Sequence, residues 1–230
     1  MSEYEQLVNS ISMSMGAAWA SGINLYATLL MLGILGVTGN IVLPENLHIL
    51  MHPAVIGASG LMFVAEFFAD KTPGVDSGWD AIHTFIRIPA GAMLAAGAIG
   101  EVNPAMIMAA GILGGGLSAG THAAKAGARA LINTSPEPFT NWAASVTEDI
   151  AVIAGVWTAL QHPMIFIGFL ALFLFFLAWL LPKIWRGIKK AASAVMKLFS
   201  RRPEAADADP GTVPLAAASA NGTLEAFEKE

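Results

Sequence analysis

Residues 66–87 read EFFADKTPGVDSGWDAIHTFIR, and strongly apolar sequence flanks them on both sides. Four acids, two bases and a histidine lie in these 22 positions. Hydrophobic residues make up 55% of the chain and charged residues 13%, whereas a soluble domain is about 25% charged. The chain therefore reads as a membrane protein, and the quoted stretch puts charge at or inside the bilayer. There a charge at a helix centre costs about 2.5–3.5 kcal/mol on insertion scales. The chain has no cysteine, which excludes a disulfide framework and a thiolate metal site. The net charge of −5 hides a segregation, with acids in the tail and bases elsewhere. Met1 to Gln6 is acidic, which argues against a cleavable signal peptide, whose first segment is basic.

A spanning helix needs about 20 mostly apolar residues. Six segments qualify, at 11–38, 53–72, 79–99, 104–131, 138–160 and 163–182. Pro53, Pro104, Pro138 and Pro163 mark starts, since proline suits the first turn of a helix. Six crossings place the loops at 39–52, 100–103 and 161–162 on one side, and these contain no Lys or Arg. The other side holds Lys71, Lys125 and Arg129 near helix ends, and the cluster Lys183, Arg186, Lys189, Lys190, Lys197, Arg201 and Arg202. The positive-inside rule then predicts that both termini are cytoplasmic. Residues 1–182 are the expected helical bundle. Residues 183–202, with Ile184, Ile188, Val195 and Phe199 on one side, read as a basic amphipathic helix in the inner headgroup layer. A plain stop-transfer flank is the alternative. Residues 203–230 are rich in Ala, Pro, Asp and Glu without periodicity and read as a disordered acidic tail.

Two internal likenesses compete. HPAVIGASGL (52–61) resembles NPAMIMAAGI (103–112), which also fits a shared way of starting a membrane helix. Alternatively, SGINLYA (21–27) matches AGTHAAK (119–125), and VAEFFAD (64–70) matches VTEDIAV (146–152). That pairing relates the first three spans to the last three as a 3+3 inverted repeat, a frequent plan of secondary transporters.

The charges fall in stripes. Glu66 and Asp70 are i, i+4; His122, Lys125 and Arg129 are i, i+3, i+7; Asn141, Ser145, Glu148 and Asp149 share one face; Ser21, Asn24 and Thr28 share another. Residues three or four apart lie on one helix face. Glu66, Asp70, Arg87, Lys125, Arg129, Glu148 and Asp149, left unpaired, would cost on the order of 20 kcal/mol, more than the stability margin of a fold. They must face one another or water. The span at 163–182 is apolar all round and is expected to face lipid. Asp76 and Asp80 read as caps of the third span, while Arg87 and Pro89 lie beyond that explanation. GILGGGLSAG (111–120) fits close helix packing through small residues or a broken helix lining a site. His48 and His52, at i, i+4 near the outer surface, are a weak metal pair. His83 and His122 read as hydrogen-bonded bundle residues open to proton handling.

GINLYAT (22–28), LP (43–44), EFFADKTPGVDSGWDAIHTFIRIPAGA (66–92), THAAKAGAR (121–129) and SPEPFTNWAASVTED (135–149) together resemble a bacterial integral membrane family known only as domain of unknown function 4126. The likeness covers about residues 10–160. The family pattern often has a glycine beside the histidine of the fourth span, where Thr121 and Ala123 flank His122 here. The resemblance implies placement in the bacterial inner membrane and no established activity.

The reading that follows is an all-α protein of six transmembrane helices that handles an ion or a small polar solute as a transporter or channel. Its path would be Asn24, Glu66, Asp70, Arg87, His122, Lys125, Arg129, Asn141, Glu148 and Asp149. A static buried salt-bridge lattice in a scaffolding protein is the alternative. An intramembrane lipid enzyme is the weaker one, because no Ser/His/Asp order and no paired-histidine zinc motif is present. No enzyme activity, cofactor, metal or nucleic acid is expected; membrane lipid and the solute are, and so small a bundle suits a homo-oligomer.

Overall fold

Proline opens four of the helices in the computed structural model, which describes residues 2–72, 74–100, 103–133 and 138–200. α1 (Glu3–Ile23) and α2 (Leu25–Val37) are followed by a 3₁₀ turn at Glu45–Met51. α3 (Pro53–Ala69), α4 (Val75–Ala98), α5 (Pro104–Ile132), α6 (Pro138–Gln161) and α7 (Pro163–Ser200) complete the chain, and the described residues contain no strand. The side chain of His52 accepts from the Ala54 amide ahead of α3, and that of Asn103 accepts from the Ala105 amide ahead of α5. Each meets a helix-start amide that has no partner within its helix. The likeness of 52–61 to 103–112 is thus a shared way of starting a helix.

Asn24 separates α1 from α2 as a single extended residue, φ −143° and ψ 99°. Its side-chain oxygen accepts from the Ala27 amide at 2.9 Å, so it caps α2 instead of continuing α1. The contacts on either side give the direction. Along α1, Ser14 donates to the Ala95 carbonyl of α4 and Ser21 lies against Gly91; just past the break, Tyr26 reaches His83. Along α2 the chain climbs back: Leu30 lies near Gly60 and Gly33 near Ile56, and then Leu47 of the 3₁₀ turn packs on Gly97 near the end of α4. α1 and α2 are the two arms of a re-entrant hairpin with its tip at Asn24. This corrects the expectation of one span over 11–38: hydropathy does not show that the chain turns back halfway.

Four segments, in α4, α5, α6 and the Pro163–Gly187 part of α7, are long and apolar enough to cross a membrane. The 3₁₀ turn and α3 together, bent by 66° at their junction, can supply a fifth. The expected count of six is not reached among the described residues, while the multi-pass membrane class stands.

Small residues let the helices touch. A Cβ on Gly22 of α1 would collide with Thr121 and the Ser118 carbonyl of α5, and one on Gly114 would meet Ala95 and the Gly91 carbonyl of α4. Residues 111–120 therefore serve close packing, and α5 runs through them unbroken. The alternative of a broken helix does not hold there; the break lies at Asn24. The helix pattern does not confirm the 3+3 inverted repeat, since 21–27 contains the break and 119–125 is continuous helix. α7 is not uniformly lipid-facing: Phe166, Leu170 and Leu177 are buried, and Trp19 of α1 meets Phe166, Phe169 and Phe173 edge-on.

These contacts lie within a unit spanning Met1–Trp185. In the second unit, Arg186–Glu230, α7 continues as helix to Ser200. The side chains of Ile184, Ile188, Val195 and Phe199, and residues 201–230, lie outside the described residues.

Gly22→Val should overpack the contact between α1 and α5 and destabilise by about 1–3 kcal/mol. Gly116, whose Cβ position is open space, should accept alanine with little change. Melting temperatures in detergent check both.

A buried charge cluster as candidate functional site

Each charged stripe is carried by a different helix, and the hairpin and bundle bring them to one place. α3 delivers Glu66 and, just past its end, Asp70 and Lys71. α4 delivers Asp80, Thr84 and Arg87 at i, i+4, i+7, α5 delivers His122, Lys125 and Arg129, and α6 delivers Asn141, Ser145, Glu148 and Asp149. The side chains of Glu66 and Arg87 have no exposed surface, and the most exposed carboxylate among the ion pairs is Glu148, at 18%.

Lys125 is the hub. Its Nζ lies 2.7 Å from Asp70 Oδ2, 3.4 Å from Glu66 Oε1, 3.6 Å from Glu148 Oε2 and 3.9 Å from Asp80 Oδ1. It also donates to the carbonyl of Ile23, the last residue of α1, at 3.1 Å. Arg87 joins Glu66 to Asp80, the latter at 3.1 Å. Arg129 forks onto Glu148, through Nε at 3.2 Å and Nη2 at 2.6 Å, and donates from Nη1 to the Asp70 carbonyl and Asn141 Oδ1. A bidentate pair of this kind is a strong form of charge-assisted hydrogen bond. Glu66, Asp70, Asp80 and Glu148 thus each meet two cations.

Two buried charges stand apart from this lattice. Asp149 Oδ1 accepts from the Asn24 amide at 3.0 Å, and no cation lies within ion-pair distance of it among the described residues. Lys71 donates to the Phe67 carbonyl and to Ser145 Oγ and sits over the Phe67 ring. It has no carboxylate at ion-pair distance among the described residues. Burial pushes the Lys71 ammonium below its ordinary value, with the Asp149 charge acting against that.

The histidines are fixed by their partners. A guanidinium only donates, so the contact from Arg87 Nη1 to His122 Nδ1 at 3.1 Å puts the ring proton on Nε2. Nε2 faces Thr84 Oγ1 and the Asp80 carbonyl. His83 Nδ1 donates to the Trp79 carbonyl, leaving Nε2 to accept from the Tyr26 hydroxyl at 3.0 Å. The His122 ring is neutral in this arrangement. His48 bonds the Leu43 carbonyl and His52 caps α3. Among the described residues no group of three or more His, Asp or Glu is placed to hold a metal ion.

Of the ten residues named from sequence, Glu66, Asp70, Arg87, His122, Lys125, Arg129, Asn141 and Glu148 are bonded in one network, and Asn24 and Asp149 pair with each other beside it. Ser21 and Thr28 join neither, because their hydroxyls bond backbone carbonyls of their own hairpin. Asp80 and Lys71 are additions. Asp80 does not cap α4; the cap position is Gly74, at φ +86°. The spacing of Asp80 to Arg87, two turns on one face, was the available signal. Asp76 does tie down the helix start, accepting from the Gly74 and Ser77 amides and from Asn133. A cavity of about 190 Å³, lined by Ile23, Thr121, Lys125, Thr147, Glu148 and Phe173 among others, borders the cluster.

The chain belongs to the family described as Domain of unknown function (DUF4126), whose model matches residues 11–183. Neither the curated proteins nor the solved structures contain a match.

Arg87→Met should destabilise by about 3–5 kcal/mol, because Glu66 and Asp80 lose a buried cation. Adding Glu66→Gln should recover part of that loss. Thermal unfolding of the two variants in one detergent gives the comparison.

Proposed function

We propose that this multi-pass membrane protein transports an ion or a small polar solute, with the buried charge cluster as its site. The observation that carries the reading is the helix break at Asn24 against the cluster. The final carbonyl of α1 meets Lys125, and the residue that caps α2 meets Asp149. Discontinuous helices whose freed backbone groups face charged side chains are how many transporters build ion sites. Backbone that leaves regular helix at membrane depth is tolerated where it is buried in protein or lines a cavity. Ionisable groups inside membranes mark ion and substrate paths.

In this reading Glu66 and Glu148 are the acids that titrate or bind a cation, assisted by Asp70 and Asp149. Arg87, Lys125 and Arg129 hold the acids charged or meet an anionic group. Asn24 and Asn141 supply neutral hydrogen bonds. His122 holds Arg87 in place. The reading assigns no enzymatic step; the partners are membrane lipid, the solute and a second copy of the chain.

The proposed topology is five crossings plus the re-entrant hairpin. An odd number of crossings puts the Glu3 end of α1 and Lys183 on opposite sides of the membrane. The first Lys or Arg in the chain is Lys71, at the end of the bundle that also carries Arg129. The positive-inside rule makes that end cytoplasmic and the Glu3 end external, in place of two cytoplasmic termini. The membrane is the bacterial inner membrane.

A static lattice is the second reading, and the doubly paired carboxylates favour it. Flux separates the two. In proteoliposomes with a trapped pH dye and imposed gradients of monovalent ions, divalent ions or small carboxylates, wild type should carry flux. Glu66→Gln and Glu148→Gln should fold and lose it at least about tenfold, the size of a 1.4 kcal/mol effect. Equal flux in all three removes these assignments, and no flux with variants that merely melt earlier favours the lattice. Because the chain has no cysteine, topology is read directly. Glu3→Cys should react with an impermeant maleimide on intact cells, and Lys183→Cys should not.

A further inference from the structure

Within the cluster the charges do not balance. Glu66, Asp70, Asp80, Glu148 and Asp149 face Arg87, Lys125, Arg129 and Lys71, which leaves one carboxylate in excess. The geometry identifies that carboxylate. Four of the five acids meet two cations each. Asp149 meets only the neutral amide of Asn24, at 3.0 Å. It is 8% exposed. Its Oδ2 is buried and has no hydrogen-bond partner. Glu66, Asp70 and Asp80 also carry one bare buried oxygen each, but each of them has two cations; a carboxylate with a bare buried oxygen and no cation at ion-pair distance is costly to keep charged. A proton is the ligand small enough to fit.

We propose that Asp149 is a proton-binding site, holding H⁺ at neutral pH and exchanging it at the tip of the re-entrant hairpin. With Asp149 protonated, four carboxylates face four cations and the cluster is neutral. Release is the step Asp149–COOH plus H₂O to Asp149–COO⁻ plus H₃O⁺: the O–H bond breaks, its electron pair stays on Oδ2, and water at the small exposed edge of Asp149 takes the proton. The groups facing Asp149 are Asn24 at the hairpin tip, Asp70 and Lys71 past the end of α3, Lys125 of α5 and its neighbour Glu148 on α6. Of these only Lys71 is an unpaired cation, held by Ser145 one turn before Asp149. Deprotonation therefore draws Lys71 toward α6 and strengthens the pull on Asn24, which caps α2. Proton exchange acts on the break itself. The inference depends on the transport reading only for what that movement drives; the bound proton stands without it.

Infrared difference spectroscopy of reconstituted protein tests it. Wild type at pH 7 should show the carbonyl stretch of one protonated carboxyl. The band should disappear in Asp149→Asn, persist in Glu66→Gln and move in frequency in Asn24→Ala, which removes its hydrogen-bond donor. A band that survives in Asp149→Asn, or no such band in wild type, overturns the proposal. If Asp149→Asn does not fold, Asp149→Glu and Asn24→Ala suffice: a band unmoved in both overturns it. A band assigned to Asp149 without flux keeps the proton site and removes transport. Flux without the band does the reverse.

Discussion

Lys125 places one ammonium where five segments of the chain must agree. Its Nζ reaches Glu66 and Asp70 at the end of α3, Asp80 of α4, Glu148 of α6 and the last carbonyl of α1. In a bilayer the hydrophobic effect gives helices little reason to prefer one another over lipid, so packing and polar contacts set their arrangement. A buried ammonium with four carboxylates is a demanding contact of that kind. Breaking such a group by removing one partner leaves an uncompensated buried charge. The helices are therefore held in register by electrostatics at one end and by small-residue packing along their length. Gly22, Gly91 and Gly114 let α1, α4 and α5 approach closely enough for the hairpin tip to reach Lys125.

The same constraint explains why the chain turns at Asn24. A continuous helix over 11–38 would carry its polar groups past the cluster. By capping α2 with its own side chain, Asn24 ends α1 where the Ile23 carbonyl is free to accept from Lys125. The residue does three jobs with one amide group and its backbone: the oxygen caps, the nitrogen donates to Asp149, and the backbone N–H closes the last turn of α1 on Ala20.

Much of this was legible in the sequence, and the failures have physical causes. Glu66 with Asp70, and His122 with Lys125 and Arg129, are spaced for one helix face, so the charged stripes are legible from spacing alone. The hairpin is not. Hydropathy measures whether a segment tolerates lipid, and an arm that enters and leaves by one side tolerates it as well as a span does. Asn24 was visible only as a polar residue on a stripe, because an asparagine that caps and one that pairs look alike in sequence. Asp80 was hidden by a cheaper explanation, since an acid in the first turns of a helix is usually satisfied by the helix itself. Lys71 was read as a marker of orientation. Its burial against Phe67, Trp142 and Ser145 depends on α6 lying beside the end of α3.

A lattice that only fastens helices has no need of a break, because unbroken helices satisfy their own backbone and can still present charged side chains. Here the break and the incompletely paired charges coincide. The doubly paired carboxylates are each tied to two cations, so any change among them must break several contacts at once. Asp149 and Lys71, each buried and each without an ion pair among the described residues, can change partners by moving one side chain past Ser145. Asp149 is also the residue in contact with Asn24. Rearrangement is therefore cheapest at the point where the backbone is already interrupted, and the rigid hub at Lys125 gives that point something fixed to move against.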